Sequence, residues 1–376
     1  MGMGKRLESL DALRGFDLFC LVVVGRIIHK LGAAINTPWF DAIMPVFTHK
    51  EWEGFSPWDL VMPLFMFMAG VTIPYSLGKY RNGDGHRRKL FERLLRRVVL
   101  LWILGMAVQG NLLSLDPHRI YLYTNTLQAI AVGYIFSAII FLHTQWKAQI
   151  GFAAALLLLF WAAMELISVG GYGGGDYTPR GNLAEGIDAL LLGRFRDTAK
   201  VVDGAVVISD SYTYTWILSS VNFVVTVLTG VLAGEILKGG WPQRKKILLL
   251  LGTGIGMVAC GWTMHLVHPV IKHIWTSSMV LVSSGYCFLL LCLFYYWIDY
   301  KGHHRNLGFL KVYGMNSITA YVVSSLVSFS SVSTSLLHGF EQYTGNFYPV
   351  LIQLGNVGII FLLLLTMYKN KIFIRI

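Results

Sequence analysis

The sequence predicts an all-α polytopic membrane protein with about ten transmembrane helices. Two features of composition point there: 55% of the residues are hydrophobic, and 14% are charged, against roughly 25% in a soluble domain. The third observation is arrangement. The apolar residues gather into runs near the ~20 residues a helix needs to cross the hydrocarbon core, and the mean hydropathy is +0.57.

The runs fall roughly at 14–32, 58–79, 97–115, 122–143, 149–169, 214–237, 247–267, 276–298, 309–331 and 347–368. The first follows MGMGKRLESLDALRG, which is too polar for a signal peptide. No small-residue cleavage site follows it, so it reads as a retained span. The second opens on Ser56-Pro57-Trp58-Asp59, with a carboxylate where the helix dipole favours one. Residues 1–376 read as a single integral membrane domain. Its two longest connections, about 33–57 and 170–213, lie on one side. The second begins Gly170-Gly171-Tyr172-Gly173-Gly174-Gly175-Asp176, a flexible composition. It follows no predicted strand and precedes no Lys-Ser/Thr, so it does not read as a phosphate cradle. Cys20, Cys260, Cys287 and Cys292 all lie in apolar runs without a Cys-x-x-Cys pair, which argues for core residues over a disulfide framework or thiolate metal site.

The chain carries 31 Lys and Arg against 20 Asp and Glu. Most of the basic residues fall on one side of the predicted spans: Lys5, Arg6 and Arg14, a cluster from Lys79 to Arg97, Lys238 with Arg244 to Lys246, Lys301 with Arg305 and Lys311, and the tail. The positive-inside rule then places both termini in the cytoplasm. Topology accounts for the charge, so nucleic acid is not an expected partner.

Ionisable groups at membrane depth are functional candidates by default. Asp11, Arg14 and Asp17 stand at helical spacing, which reads as an ion-paired helix start. Asp59 reads equally as a helix cap, and Glu165 and Glu235 lie near span ends. His49 stands apart. It precedes the second span on the outer side, in Thr48-His49-Lys50-Glu51-Trp52-Glu53-Gly54-Phe55. A neutral imidazole there can act as base or nucleophile, and Glu51, Glu53 or Asp59 can orient it and raise its basicity.

Several motifs, in order along nearly the whole chain, resemble one family. They are Leu10-Asp11-Ala12-Leu13-Arg14-Gly15-Phe16-Asp17; His49-x-x-Trp52-x-Gly54-Phe55-x-x-x-Asp59; Thr126-Leu127-Gln128-Ala129-Ile130-Ala131; Asn182-Leu183-x-x-x-Ile187-Asp188; Pro269-x-x-Lys272-x-Ile274-Trp275-Thr276-x-Ser278; and Tyr313-Gly314-Met315-Asn316-Ser317. Together they resemble the bacterial members of the heparan-α-glucosaminide N-acetyltransferase family, within the transmembrane acyltransferase superfamily. The resemblance implies a transmembrane acyltransferase fold in the bacterial inner membrane. It also implies acetyl-CoA as co-substrate, no metal, and transfer to the amine of a glucosamine-type sugar on the far side. The family's catalytic histidine matches His49. Two positions depart from the family pattern: Val24-Gly25-Arg26 stands where relatives carry a polar or acidic residue, and Ala129 replaces an arginine.

On that resemblance, His49, Asp59 and Asn316 are the expected catalytic residues. Arg14, Gln128, Lys272, Trp275, Ser277 and Ser278 are expected along the acetyl-CoA path, with Arg87 and Arg88 near its phosphates. Trp52, Glu51 and Asp188 are expected on the acceptor side. The partners are then acetyl-CoA, an amino-sugar or glycan acceptor, and the lipid bilayer. The assembly is left open, a homodimer included. Two other functions compete: O-acetylation of a cell-envelope glycan, and small-solute transport. A transporter should carry internal hydropathy repeats with broken helices in matching halves, and no convincing repeat is legible here.

Overall fold

The computed structural model describes residues 7–374, apart from 82–86, 110–111, 113–114, 117–119, 197–198, 203–204, 209–213 and 306. Lys5, Arg6, His118, Arg119 and Arg375 therefore lie outside the described residues, as do the side chains of Arg87 and Lys200.

Helices dominate, and the protein is an all-α polytopic membrane protein. In chain order the main ones are α1 (Glu8–Phe19), α2 (Gly25–Ile35), α3 (Val61–Val71), α4 (Arg87–Val108), α5 (Thr126–His143), α6 (Trp146–Leu166) and α7 (Leu183–Leu192). There follow α8 (Ser219–Lys238), α9 (Gln243–Met264), α10 (Ser277–Phe294), α11 (Gly308–Met315), α12 (Ser317–Leu326), α13 (Ser330–Leu337) and α14 (Tyr348–Lys369). Two antiparallel hairpins sit in the connection after α6: β1 (Ser168–Val169) with β2 (Tyr172–Gly173), and β3 (Ala199–Val202) with β4 (Ala205–Ile208).

Among the described residues, eight helical stretches are long and apolar enough to cross a membrane. They coincide with eight of the ten predicted runs. The run at 97–115 falls in α4 only as far as Val108, and residues 110–111 and 113–114 of it lie outside the described residues; the first half of α4 carries Arg88, Lys89, Arg93, Arg96 and Arg97. The run at 309–331 is divided into α11 and α12 at Asn316, whose backbone (φ −121°, ψ 43°) leaves the helical region.

The chain packs as two compact units. One comprises Met1–Lys50, Ser56–Val61 and Leu290–Arg375. In it α1 lies against α11 at two glycines: a Cβ on Gly15 would strike the carbonyl of Leu310, and one on Gly314 the carbonyl of Asp11. Without a hydrophobic driving force between helices in lipid, such close approach is what dispersion packing requires. Polar bonds add to it. Lys311 Nζ donates to Glu8 at 2.7 Å, and the Arg26 guanidinium donates to the Ser324 carbonyl at 2.5 Å.

The other unit comprises Glu51–Phe55 and Met62–Leu289. Its centre is α8, where 72% of the apolar window is buried. Gly70 of α3 and Gly230 of α8 face the carbonyls of Val227 and Phe67 in the same close-approach manner. Asn222, inside α8, donates its amide to the Trp275 carbonyl at 2.7 Å.

Candidate active site

The site begins with the way the second span starts. Pro57 occupies the first turn, where its missing N–H costs nothing. Asp59 follows at the positive end of that turn. Its Oδ2 accepts the backbone N–H of Ser56 at 2.9 Å and, more loosely, that of Lys50 at 3.4 Å. Ser56 Oγ donates to the Thr48 carbonyl at 2.6 Å, which closes residues 48–59 into a short loop. The second carboxylate oxygen is thereby turned to His49: Nδ1 lies 2.8 Å from Asp59 Oδ1. Asp59 is fully buried, while the His49 side chain is 45% exposed. The pair thus combines a fixed, dry carboxylate with an accessible imidazole. Asp59 is both helix cap and histidine partner, one oxygen for each. Glu51 is exposed, and Glu53 instead lies 3.7 Å from His265 Nε2.

Residues 51–55 belong to the second unit and are strapped there to the segment between α9 and α10. Glu53 forms an antiparallel bridge with Ile271, and Gly54 donates its N–H to the Val270 carbonyl at 2.8 Å. Trp52 stacks on His273 with ring centroids 5.4 Å apart. Its indole N–H donates to the Tyr177 carbonyl at 2.8 Å.

Tyr177 also joins a partly buried chain that the sequence did not announce. The Ser277 N–H donates to His268 Nε2 at 3.0 Å, so the proton of the neutral ring sits on Nδ1. Nδ1 then donates to Tyr177 Oη at 2.6 Å, and Tyr177 Oη donates to Glu165 Oε1 at 2.8 Å. Burial lowers the His268 pKa to about 3, so this ring stays neutral at physiological pH. Burial, reinforced by Glu165, raises that of Tyr177. These three residues come from α6, the connection after it and the segment after α9, 91 residues apart between Tyr177 and His268. The one available signal was a His, a Tyr and a Glu near the same ends of predicted spans.

The other predicted residues have the following partners. Gln128 is buried and folds the start of α5: Oε1 accepts from Thr124 and Asn125 N–H at 2.8 and 3.1 Å, and Nε2 donates to the Leu122 carbonyl. Trp275, at φ +51°, donates its indole N–H to Thr226 Oγ1 at 3.0 Å. Ser277 Oγ donates to the Leu157 carbonyl and Ser278 Oγ to that of Pro269. Lys272, buried nearby, accepts the Trp275 N–H on its carbonyl. The Asp188 carboxylate accepts the N–H groups of Trp216 and Ile217 at 2.7 and 2.9 Å, clamping α7 to the entry of α8. Burial raises its pKa to about 6 against the pull of those two bonds. Asn316 bonds the backbone of Ile372 and Ile374. Arg14 is half-buried on α1. Asp17, expected in an ion-paired helix start, is 2% exposed, and its Oδ2 has no hydrogen-bond partner among the described residues. It lies on the buried side of α1 with Ala12, Leu13 and Leu18.

His49, Asp59, Asn316 and Arg14 therefore fall in one unit, and Gln128, Lys272, Trp275, Ser277, Ser278, Trp52, Glu51 and Asp188 in the other. Within the first, His49 and Asp59 are brought together, whereas Asn316 finds its partners at the C-terminal end.

Fold and site define a class: a polytopic α-helical membrane protein with a histidine–aspartate pair set at the mouth of a span. Comparison with known proteins gives the relatives. Residues 6–171 match a family described as a domain of unknown function, DUF5009. Heparan-alpha-glucosaminide N-acetyltransferase of Homo sapiens is 26% identical over 367 residues, covering 84% of this chain and 52% of that protein. The Mus musculus enzyme of the same name is 26% identical over 368 residues, covering 85% and 53%. The chain is a distant homologue of these enzymes over most of its own length, and it spans about half the length of the curated relatives it matches.

Proposed function

We propose that the protein is a transmembrane acetyltransferase of the bacterial inner membrane. It takes the acetyl group of cytoplasmic acetyl-CoA and delivers it to the amine of a glucosamine-type sugar on the outer side. Both termini are cytoplasmic, and residues 1–376 work as one catalytic domain. The observation that carries this reading is the 2.8 Å contact between His49 and the buried Asp59. The names of the distant relatives and the one-sided distribution of basic residues support it.

Asp59 accepts the Nδ1–H of His49 and so fixes the tautomer that leaves the lone pair on Nε2. In the direct route Nε2 takes a proton from the acceptor amine as its nitrogen attacks the thioester carbonyl. The C–S bond breaks, and the proton passes on to the departing sulfur. In the two-step route Nε2 attacks the thioester carbonyl and the CoA thiolate leaves; the amine then attacks the acetyl carbon, the bond to Nε2 breaks, and the amine proton passes to the freed imidazole. Trp52 offers the acceptor a ring face, with Glu51 beside it on the exposed side. The Lys272 ammonium is the donor proposed for the thioester oxygen and the Arg14 guanidinium that for the phosphates, while Ser277 and Ser278, whose hydroxyls donate to the Leu157 and Pro269 carbonyls, hold the segment that carries Lys272. Gln128, Trp275, Asp188 and Asn316 act by holding their own segments in place, each through partners within its own unit.

Incubating the purified protein with labelled acetyl-CoA and glucosamine tests the proposal. His49→Ala should lower transfer by about 10²–10⁴-fold, the usual worth of a general base. A variant as fast as wild type overturns the role of His49. A wild-type protein that neither binds acetyl-CoA nor releases CoA with any amino sugar overturns the enzyme class. Acetyl trapped on His49 without acceptor selects the two-step route.

A further inference from the structure

A cavity of about 530 Å³ lies in the second unit, at the ends of α5, α6, α8 and α9 where the basic loops emerge. Pockets of this size hold one small organic ligand or one arm of a larger one. Its walls are mostly apolar, with Leu232, Leu249 and Phe288 among them. Two of the helices around it, α6 and α9, turn most of their apolar surface outward: only 28% and 17% of their windows are buried. Trp146 and Trp241 line it while 52% and 44% exposed. Half-exposed tryptophans at span ends mark the headgroup level of a bilayer.

Three charges share this cavity. Arg81 donates to Glu235 Oε1 at 2.6 Å and, through its other terminal nitrogen, to the Thr144 carbonyl. Its guanidinium lies 4.8 Å from the centre of the Phe141 ring. Lys238 donates to the Pro74 carbonyl at 2.8 Å, in space that Gly78 leaves open: a Cβ there would meet the ammonium. A lysine ammonium has three donors. Glu235 Oε2 is buried without a hydrogen-bond partner among the described residues, and an orphaned carboxylate oxygen costs free energy until a donor reaches it.

We infer that this cavity binds a zwitterionic aminophospholipid, with its ammonium on Glu235 Oε2, its phosphate on Lys238 and Arg81, and one acyl chain along the apolar wall. The charges decide between lipids. The match is group by group, since a zwitterion leaves the net charge of the cavity unchanged: Lys238 and Arg81 face one phosphodiester, and the free oxygen of Glu235 faces one ammonium. A glycerol headgroup offers Glu235 Oε2 only neutral hydroxyls, weaker partners for a carboxylate than an ammonium. The several phosphates of a nucleotide donor exceed what these side chains can balance.

The test is native mass spectrometry of the intact protein in detergent, with added phosphatidylethanolamine, phosphatidylglycerol of the same chains, or acetyl-CoA. Wild type should hold one phosphatidylethanolamine at least tenfold more strongly than phosphatidylglycerol. Glu235→Gln should erase that preference. Thr253→Trp, which fills the cavity from α9 without touching the charges, should lower retention of both lipids tenfold with the melting temperature unchanged. Equal retention of the two lipids by wild type overturns the inference. Displacement of the bound lipid by acetyl-CoA also overturns it and assigns the cavity to the donor.

Discussion

Asp59 gives one oxygen to the backbone of its own helix start and the other to His49, and a single substitution can separate these tasks. Asp59→Asn keeps the size and can still accept a backbone N–H, but its amide no longer holds the imidazole as an anion does. We expect kcat to fall about 10²-fold, the effect of misplacing a reacting group by an ångström, with KM for the acceptor nearly unchanged. Steady-state kinetics would check it, and a loss confined to KM would mean that Asp59 binds substrate instead. At this scale the sequence was informative where the chemistry is local. His49 and Asp59 stand ten residues apart, and both the cap and the lone polar histidine could be read directly. The His268–Tyr177–Glu165 chain was not legible, because its members meet only after folding, and histidines near span ends are common in this sequence.

The elements show where small residues and buried carboxylates are needed. α1 and α11 touch backbone to backbone at Gly15 and Gly314. Gly15→Val should therefore destabilise the protein by about 1–3 kcal/mol, the usual cost of overpacking, seen as a lower melting temperature in detergent. The same change at Gly358, with open space around it, should be mild. Asp188 gives a pH test. Its pKa of about 6 lies above the ordinary 3.8, so its contribution is present below about pH 4 and is lost as pH rises through 6. His268, lowered to about 3 from 6.5, has the opposite sign: its contribution is present above 6.5 and is lost on acidification. The two oppose each other between about pH 4 and 6. Asp188→Asn should leave the histidine effect uncompensated, so its melting temperature should drop more steeply than wild type between pH 6.5 and 4. Parallel curves would mean that Asp188 does not titrate there. The apolar runs predicted eight of these elements well, because length and hydropathy are properties of the segment alone. They did not foresee the break between α11 and α12, where Asn316 is held by the backbone of Ile372 and Ile374, a partner far along the chain.

For the whole molecule, the proposed topology puts the two long connections outside and the basic loops inside. In a cysteine-free background, Thr178→Cys should react with a membrane-impermeant maleimide on intact cells, and Lys301→Cys only after permeabilisation. The reverse pattern would invert the orientation and, with it, the side on which the acceptor is met. Charge asymmetry made this topology legible, since it is a sum over loops and survives ignorance of any one of them. The division into two units was not legible, because nothing in a hydropathy profile says which spans will pack together.

That division has a consequence for biosynthesis. The unit holding His49 is built from the first and last parts of the chain, so α1 is made long before α11, its packing partner. At ~5–20 residues per second, the roughly 290 residues in between keep α1 waiting on the order of 15–60 s. Throughout that interval the newborn helix carries Asp17 and the close-approach face around Gly15 without α11 to cover it. Retention of this segment by the insertion machinery, or by a membrane chaperone, would then be a condition for the unit that holds His49 to form at all.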